Sequence, residues 1–96
     1  MNELLKLVKL LAKADIPFEI FPFTLGENSI TYQVCYPNKQ DCLCDAICHK
    51  YSYGHEQGLL EIMGLNEDPY DDVEGWLTAQ QVFERIRDHY AAIKSA

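Results

Sequence analysis

Apolar side chains recur at helical spacing near the start of the chain. Leu4, Leu7, Val8 and Leu11 fall on one stripe that Ala12 or Ala14 continues, while Lys6, Lys9 and Lys13 lie away from it. This pattern predicts a helix over 2–14, with Asn2 as its N-cap and Glu3 in the first turn, where the helix dipole favours an acid. Asp15 and Pro17 end it. Residues 18–23 then read as a strand, which Pro22 confines to an edge or a bulge. After a turn signal at 25–28, a second strand runs over 30–36 with Ile30, Tyr32, Val34 and Tyr36 on one face. Alternation over 41–53 predicts a third strand. Cys42, Cys44, Ala46 and Cys48 share one of its faces, and Leu43, Asp45, Ile47, His49, Tyr51 and Tyr53 share the other. Gly54 and Gly58 bracket a short turn, and 59–63 gives a fourth strand stopped by Gly64.

Residues 65–76 read as an acidic loop around Pro69. A last helix starts at Thr78, which has capping-box spacing to Gln81, while Leu77 and Val82 suit a hydrophobic staple. Val82, Phe83, Ile86, Tyr90 and Ile93 form its expected buried stripe. The expectation is an α+β fold in a single domain over 1–96. A four-stranded, mostly antiparallel sheet is flanked by an N-terminal and a C-terminal helix, in the order α-β-β-β-β-α, with both helices on one face. A hydrophobic fraction of 48% with 24% charged residues suits a globular core rather than disorder.

Charge narrows the partners. The net charge is −7, and the six acids between 61 and 76 face no Lys or Arg in that stretch. Nucleic acid and anionic membranes both want a basic face, so neither is an expected direct partner. The longest apolar run, Leu4 to Leu11, is interrupted by lysines and too short to span a bilayer. No signal-peptide pattern opens the chain, which implies a reducing cytoplasm and free thiols for its four cysteines.

Three groups of residues could carry chemistry. Cys42, Cys44, Cys48 and His49, with Cys35 nearby, are a weak alternative for a zinc site. Strand residues two apart sit roughly 6.5–7 Å apart, wider than zinc bonds of about 2.3 Å to each sulfur readily span. Cysteines acting as small buried hydrophobes explain the same pattern better. The second group is His49, Tyr51, Tyr53, His55 and Glu56, aromatic and polar at a glycine turn, which would suit a small ligand such as a signalling nucleotide. Lys50, Arg85 and Arg87 are the bases such a phosphate could use beside His49. The third group is Glu67, Asp68, Tyr70, Asp71, Asp72, Glu74 and Trp76, acids with two aromatic anchors, suited to a basic protein surface. Its acids do not follow the calcium-loop spacing, and Trp76 could equally belong to the core. No catalytic motif, and no cofactor-binding motif, is present.

The stretch Cys44–Leu65, and the later stretch Asp71–Ile86, resemble small uncharacterised phage and prophage proteins of Firmicutes. That resemblance assigns no residue a role. It implies a phage-encoded accessory protein in the cytoplasm of a bacterial host, of the kind that inhibits a host defence or nucleic-acid-handling protein. The expected function is therefore a small acidic, non-enzymatic interaction protein without a cofactor, binding and inhibiting a host protein that has a basic surface. A homodimer is another use for the aromatic face. A nucleotide sponge and a small structural zinc protein are the alternatives.

Overall fold

The computed structural model describes residues 3–24, 30–49 and 52–95. The Asn2 cap, the turn expected at 25–28, and Lys50 and Tyr51 lie outside the described residues.

Helix α1 spans Glu3–Lys13 and buries Leu4, Leu7 and Leu11, each leucine taken out of water contributing about 1.5–3 kcal/mol. It stops where Asp15 turns left-handed at φ 57°, a conformation that a short polar side chain tolerates. Strands β1 (Glu19–Thr24), β2 (Ile30–Tyr36), β3 (Cys44–Ile47), β4 (Leu60–Met63) and β5 (Glu74–Leu77) precede helix α2 (Ala79–Ser95). The strands form one antiparallel sheet in the order β1-β2-β3-β4-β5.

The α+β class and the flanking helices match the expectation, but the strand count does not: there are five strands, not four. The fifth begins inside the expected acidic loop and is hidden there because Glu74–Leu77 shows no polar–apolar alternation. Leu60 pairs with Leu77 and Ile62 with Glu74. Gly75 and Trp76 therefore oppose the single residue Glu61, a β-bulge that breaks the period of two. The third strand is also shorter than 41–53. Residues 37–43 form the hairpin connection, where the Leu43 N–H donates to the Tyr36 carbonyl at 2.7 Å. Beyond Ile47 the chain turns, because Ser52 offers the backbone another set of partners. Its N–H and its hydroxyl each donate to the His49 carbonyl at 2.7 Å, and the hydroxyl accepts from the His49 N–H at 2.8 Å.

One face of the sheet makes the core. Val34, Tyr36, Cys44, Ala46, Leu60, Ile62 and Leu77 meet the leucines of α1 and Val82 and Ile86 of α2. Both helices cover this face and touch each other. Cys44, Ala46 and Cys48 form the flat small-residue surface expected of them, but Cys42 is exposed, since it lies in the hairpin connection rather than on the strand. His49 is buried rather than on an outer strand face, because the strand has already ended. The stripe of α2 likewise ends at the half-buried Tyr90. Ile93, expected to be buried, is 52% exposed because the last turn runs past the core.

The starts of the two helices are joined. Glu3 accepts from the Ala79 N–H at 3.0 Å and pairs with Lys6 at 2.7 Å. The capping box forms as expected: the Thr78 N–H donates to Gln81 Oε1 at 2.8 Å, and the Gln81 N–H donates to Thr78 Oγ1 at 3.2 Å.

Candidate functional site

The bulge in β5 decides where Trp76 points. Trp76 adopts φ 57°, a left-handed conformation that is an outlier for a bulky residue and costs of order 1–3 kcal/mol. Trp76 is 58% exposed instead of buried in the core, and its indole stacks on Tyr53, itself 53% exposed. The ring centroids are 5.2 Å apart with planes 22° from parallel.

The backbone beneath the rings is interlocked. The Trp76 N–H donates to the Tyr53 carbonyl at 3.2 Å, and the Tyr53 N–H donates to Glu61 Oε2 at 2.6 Å. A Cβ on Gly75 would stand 2.2 Å from the Tyr53 Cβ, and one on Gly54 would stand 2.9 Å from the Trp76 Cα. Each aromatic residue thus sits in the space left by the glycine beside the other. Gly54 is left-handed at φ 96° and opens a short 3-10 turn over His55–Gln57. Tyr53, Gly54, His55, Glu56 and Trp76 border a shallow hollow of about 260 Å³. Two segments read separately in the sequence, 53–56 and 75–76, therefore build one site. Glu61 belongs to it as well, and no motif pointed there; the signal was its position opposite an unrecognised bulge.

The rest of the acidic group lies at the other end of β5. Glu74 is held in a bidentate pair by Arg85, at 2.5 and 2.6 Å, and also accepts the Glu67 N–H at 2.8 Å. Arg85 also donates to the Leu65 carbonyl at 3.3 Å. The guanidinium holds the Glu74 carboxyl below the usual carboxylate range. Both ends of the loop are thus fastened to α2. Between them Asp68 Oδ1 accepts from the Tyr70 N–H at 2.9 Å, and the Asn66 amide donates to the Asp71 carbonyl at 2.5 Å. Tyr70 projects from this ordered loop at 93% exposure. Asp68, Asp71 and Asp72 are exposed, and among the described residues none has an ion-pair partner.

The zinc alternative named Cys42, Cys44, Cys48 and His49, and the fold separates them. Cys44 and Cys48 face the core, whereas Cys42 is exposed and meets the Cys35 thiol on the open side of the sheet. Among the described residues no group of three or more His, Cys, Asp or Glu side chains could hold a metal ion. Burial pushes the Cys35 thiol up to about 12, with the Cys42 thiol contributing, and burial pushes Cys44 up to about 12 as well. Cys48 lies 3.9 Å from His55 Nδ1, but burial raises its thiol too, the opposite of an activated nucleophile.

A further hollow, about 350 Å³, lies between α1 and the β1–β2 edge, lined by Leu4, Leu5, Val8, Ile20 and Tyr32. Among the described residues, no helix is long and apolar enough to cross a membrane. No family model, no curated protein and no solved structure matches the chain.

Proposed function

We propose that the chain is a small acidic, non-enzymatic interaction protein, phage-encoded, that binds and inhibits a host defence or nucleic-acid-handling protein through that protein's basic surface. The observation that supports this most is the loop over 67–74. Tyr70 stands almost fully exposed among Asp68, Asp71 and Asp72, and Arg85, the base that fastens the loop, is already occupied by Glu74. Three carboxylates with no ion-pair partner among the described residues, beside an ordered aromatic anchor, present charge that steers a basic partner and a ring that can bury against it. Because the loop is fastened at both ends, little ordering entropy is lost when it docks.

The nucleotide alternative has less support. Among the described residues the hollow beside Tyr53 and Trp76 is bordered by Glu56 and by no Lys or Arg, so a phosphate there would meet the repulsion of that carboxylate.

The test is capture of partners from bacterial lysate with the intact chain at low salt, followed by a high-salt wash and mass spectrometry. A stoichiometric partner released by salt is expected. The triple variant Asp68→Asn, Asp71→Asn, Asp72→Asn, and separately Tyr70→Ala, should lose it. Capture that neither variant weakens would overturn the reading.

A further inference from the structure

We infer that the Tyr53–Trp76 shelf is an arginine-receiving site, seating a guanidinium from a basic segment of the partner. This deepens the proposal of a basic partner and rests on it. The loop over 67–72 supplies charge, but charge alone does not distinguish lysine from arginine. The shelf can. It presents two nearly parallel rings on residues that are each more than half exposed. A planar guanidinium stacks on such faces better than a compact, strongly hydrated ammonium does.

The surroundings select a cation over a neutral or anionic ring. Glu56 borders the hollow, and the Glu61 carboxylate lies beneath Tyr53, where one of its oxygens accepts the Tyr53 N–H. Among the described residues no lysine or arginine lines the hollow. Its size agrees: at about 260 Å³ it falls below the roughly 300–1,000 Å³ of sites that enclose a whole small ligand, and it suits one inserted side chain. The geometry is also pre-set. The bulge, the left-handed Trp76 and the two glycines fix the backbone beneath both rings before any partner arrives, which lowers the ordering cost of docking.

The test uses two fluorescein-labelled peptides of equal length and charge, octa-arginine and octa-lysine, titrated with the intact protein at low salt and read by anisotropy. The arginine peptide should bind about three- to ten-fold more tightly, the range expected of stacking at a partly exposed site. Trp76→Asn keeps a residue that tolerates the left-handed backbone, and Tyr53→Ser removes the other ring. Each should bring the two affinities together, with circular dichroism confirming the fold. The Asp68→Asn, Asp71→Asn, Asp72→Asn variant should weaken both peptides alike and keep their ratio. Equal affinities for the native protein, or a ratio that survives both ring variants, would overturn the arginine assignment alone. Failure of both peptides to bind would overturn the acidic-partner reading and this site with it. Quenching of Trp76 emission by adenosine monophosphate that neither peptide reverses would reassign the shelf to a nucleotide base.

Discussion

Tyr53 and Trp76 stack because each occupies the space left by a glycine next to the other: Gly75 lies under Tyr53, and Gly54 lies against Trp76. The pair is a consequence of backbone contact, not of two side chains that happen to meet. A methyl group at either glycine has to push backbone aside.

Gly75→Ala should therefore destabilise the protein by about 1–3 kcal/mol, the usual range for overpacking. Gly54→Ala should cost more, since its φ of 96° adds backbone strain to the clash. Urea unfolding followed by the emission of Trp76, the chain's one tryptophan, measures both. Native-like midpoints in both variants would mean that the two segments are not interlocked.

The Arg85–Glu74 pair fastens the acidic loop, and its two side chains are each only 22% exposed. Arg85→Ala should cost about 1.5–3 kcal/mol, as for a charge-assisted hydrogen bond lost with its partner left behind. It should also expose the 67–73 segment to proteases. Unchanged proteolysis would show that the loop is ordered by its internal hydrogen bonds instead.

Acid should unfold the protein partly through the same pair. Arg85 depresses the folded-state Glu74 carboxyl, and Lys6, with the Ala79 N–H, depresses Glu3. Such groups contribute stability that is fully present above the unfolded value of about 4.3, and that is lost as pH falls through the lower folded value. Asp45 works in the other direction. Burial raises its folded-state carboxyl, although Gln33 donates to it at 2.8 Å. Its contribution to stability therefore grows as pH falls from the folded value to the unfolded one. Glu74→Gln should flatten the acid limb of a stability–pH curve, and Asp45→Asn should steepen it. Denaturant midpoints between pH 7 and pH 2.5 decide, and identical curves for all three proteins would refute the assignment.

The thiols should divide by location. Cys42 is exposed, whereas Cys35, Cys44 and Cys48 are buried, their thiols raised by that burial. A brief iodoacetamide pulse on native protein should add one adduct, at Cys42, and denaturant should release all the cysteines. Rapid alkylation of Cys48 in the folded state would instead reveal activation by His55.

Thr78→Ala should cost about 0.5–2 kcal/mol by removing half of the capping box at the start of α2. Thr78→Ser should restore most of the loss in thermal unfolding. Equal melting of all three proteins would place the cap's function with Glu3, which also reaches the Ala79 N–H.

Local rules made much of this molecule legible in one dimension. Leu4, Leu7 and Leu11 announce α1 because a helix period leaves a repeating mark. Thr78 and Gln81 announce the start of α2 because a cap is a contact between neighbours. Three of the strands and the burial of Cys44, Ala46 and Cys48 followed from the period of two. The fifth strand did not, since a bulge erases that period, and the third strand was overextended, since Ser52 ends it through hydrogen bonds that alternation does not register. The acidity of the 67–74 loop was plain in the composition, but the withdrawal of Glu74 into a pair with Arg85 was not, because the two meet only when α2 packs beside β5. The same holds for Tyr53 and Trp76. Each was visible as an aromatic residue near a glycine, but only the pairing of β4 with β5 brings the 52–58 turn against the bulge. The sequence by itself determined the helices, most of the sheet and the charge. Tertiary structure alone decided which aromatic residues share a surface, because that depends on backbone approach between segments more than twenty residues apart.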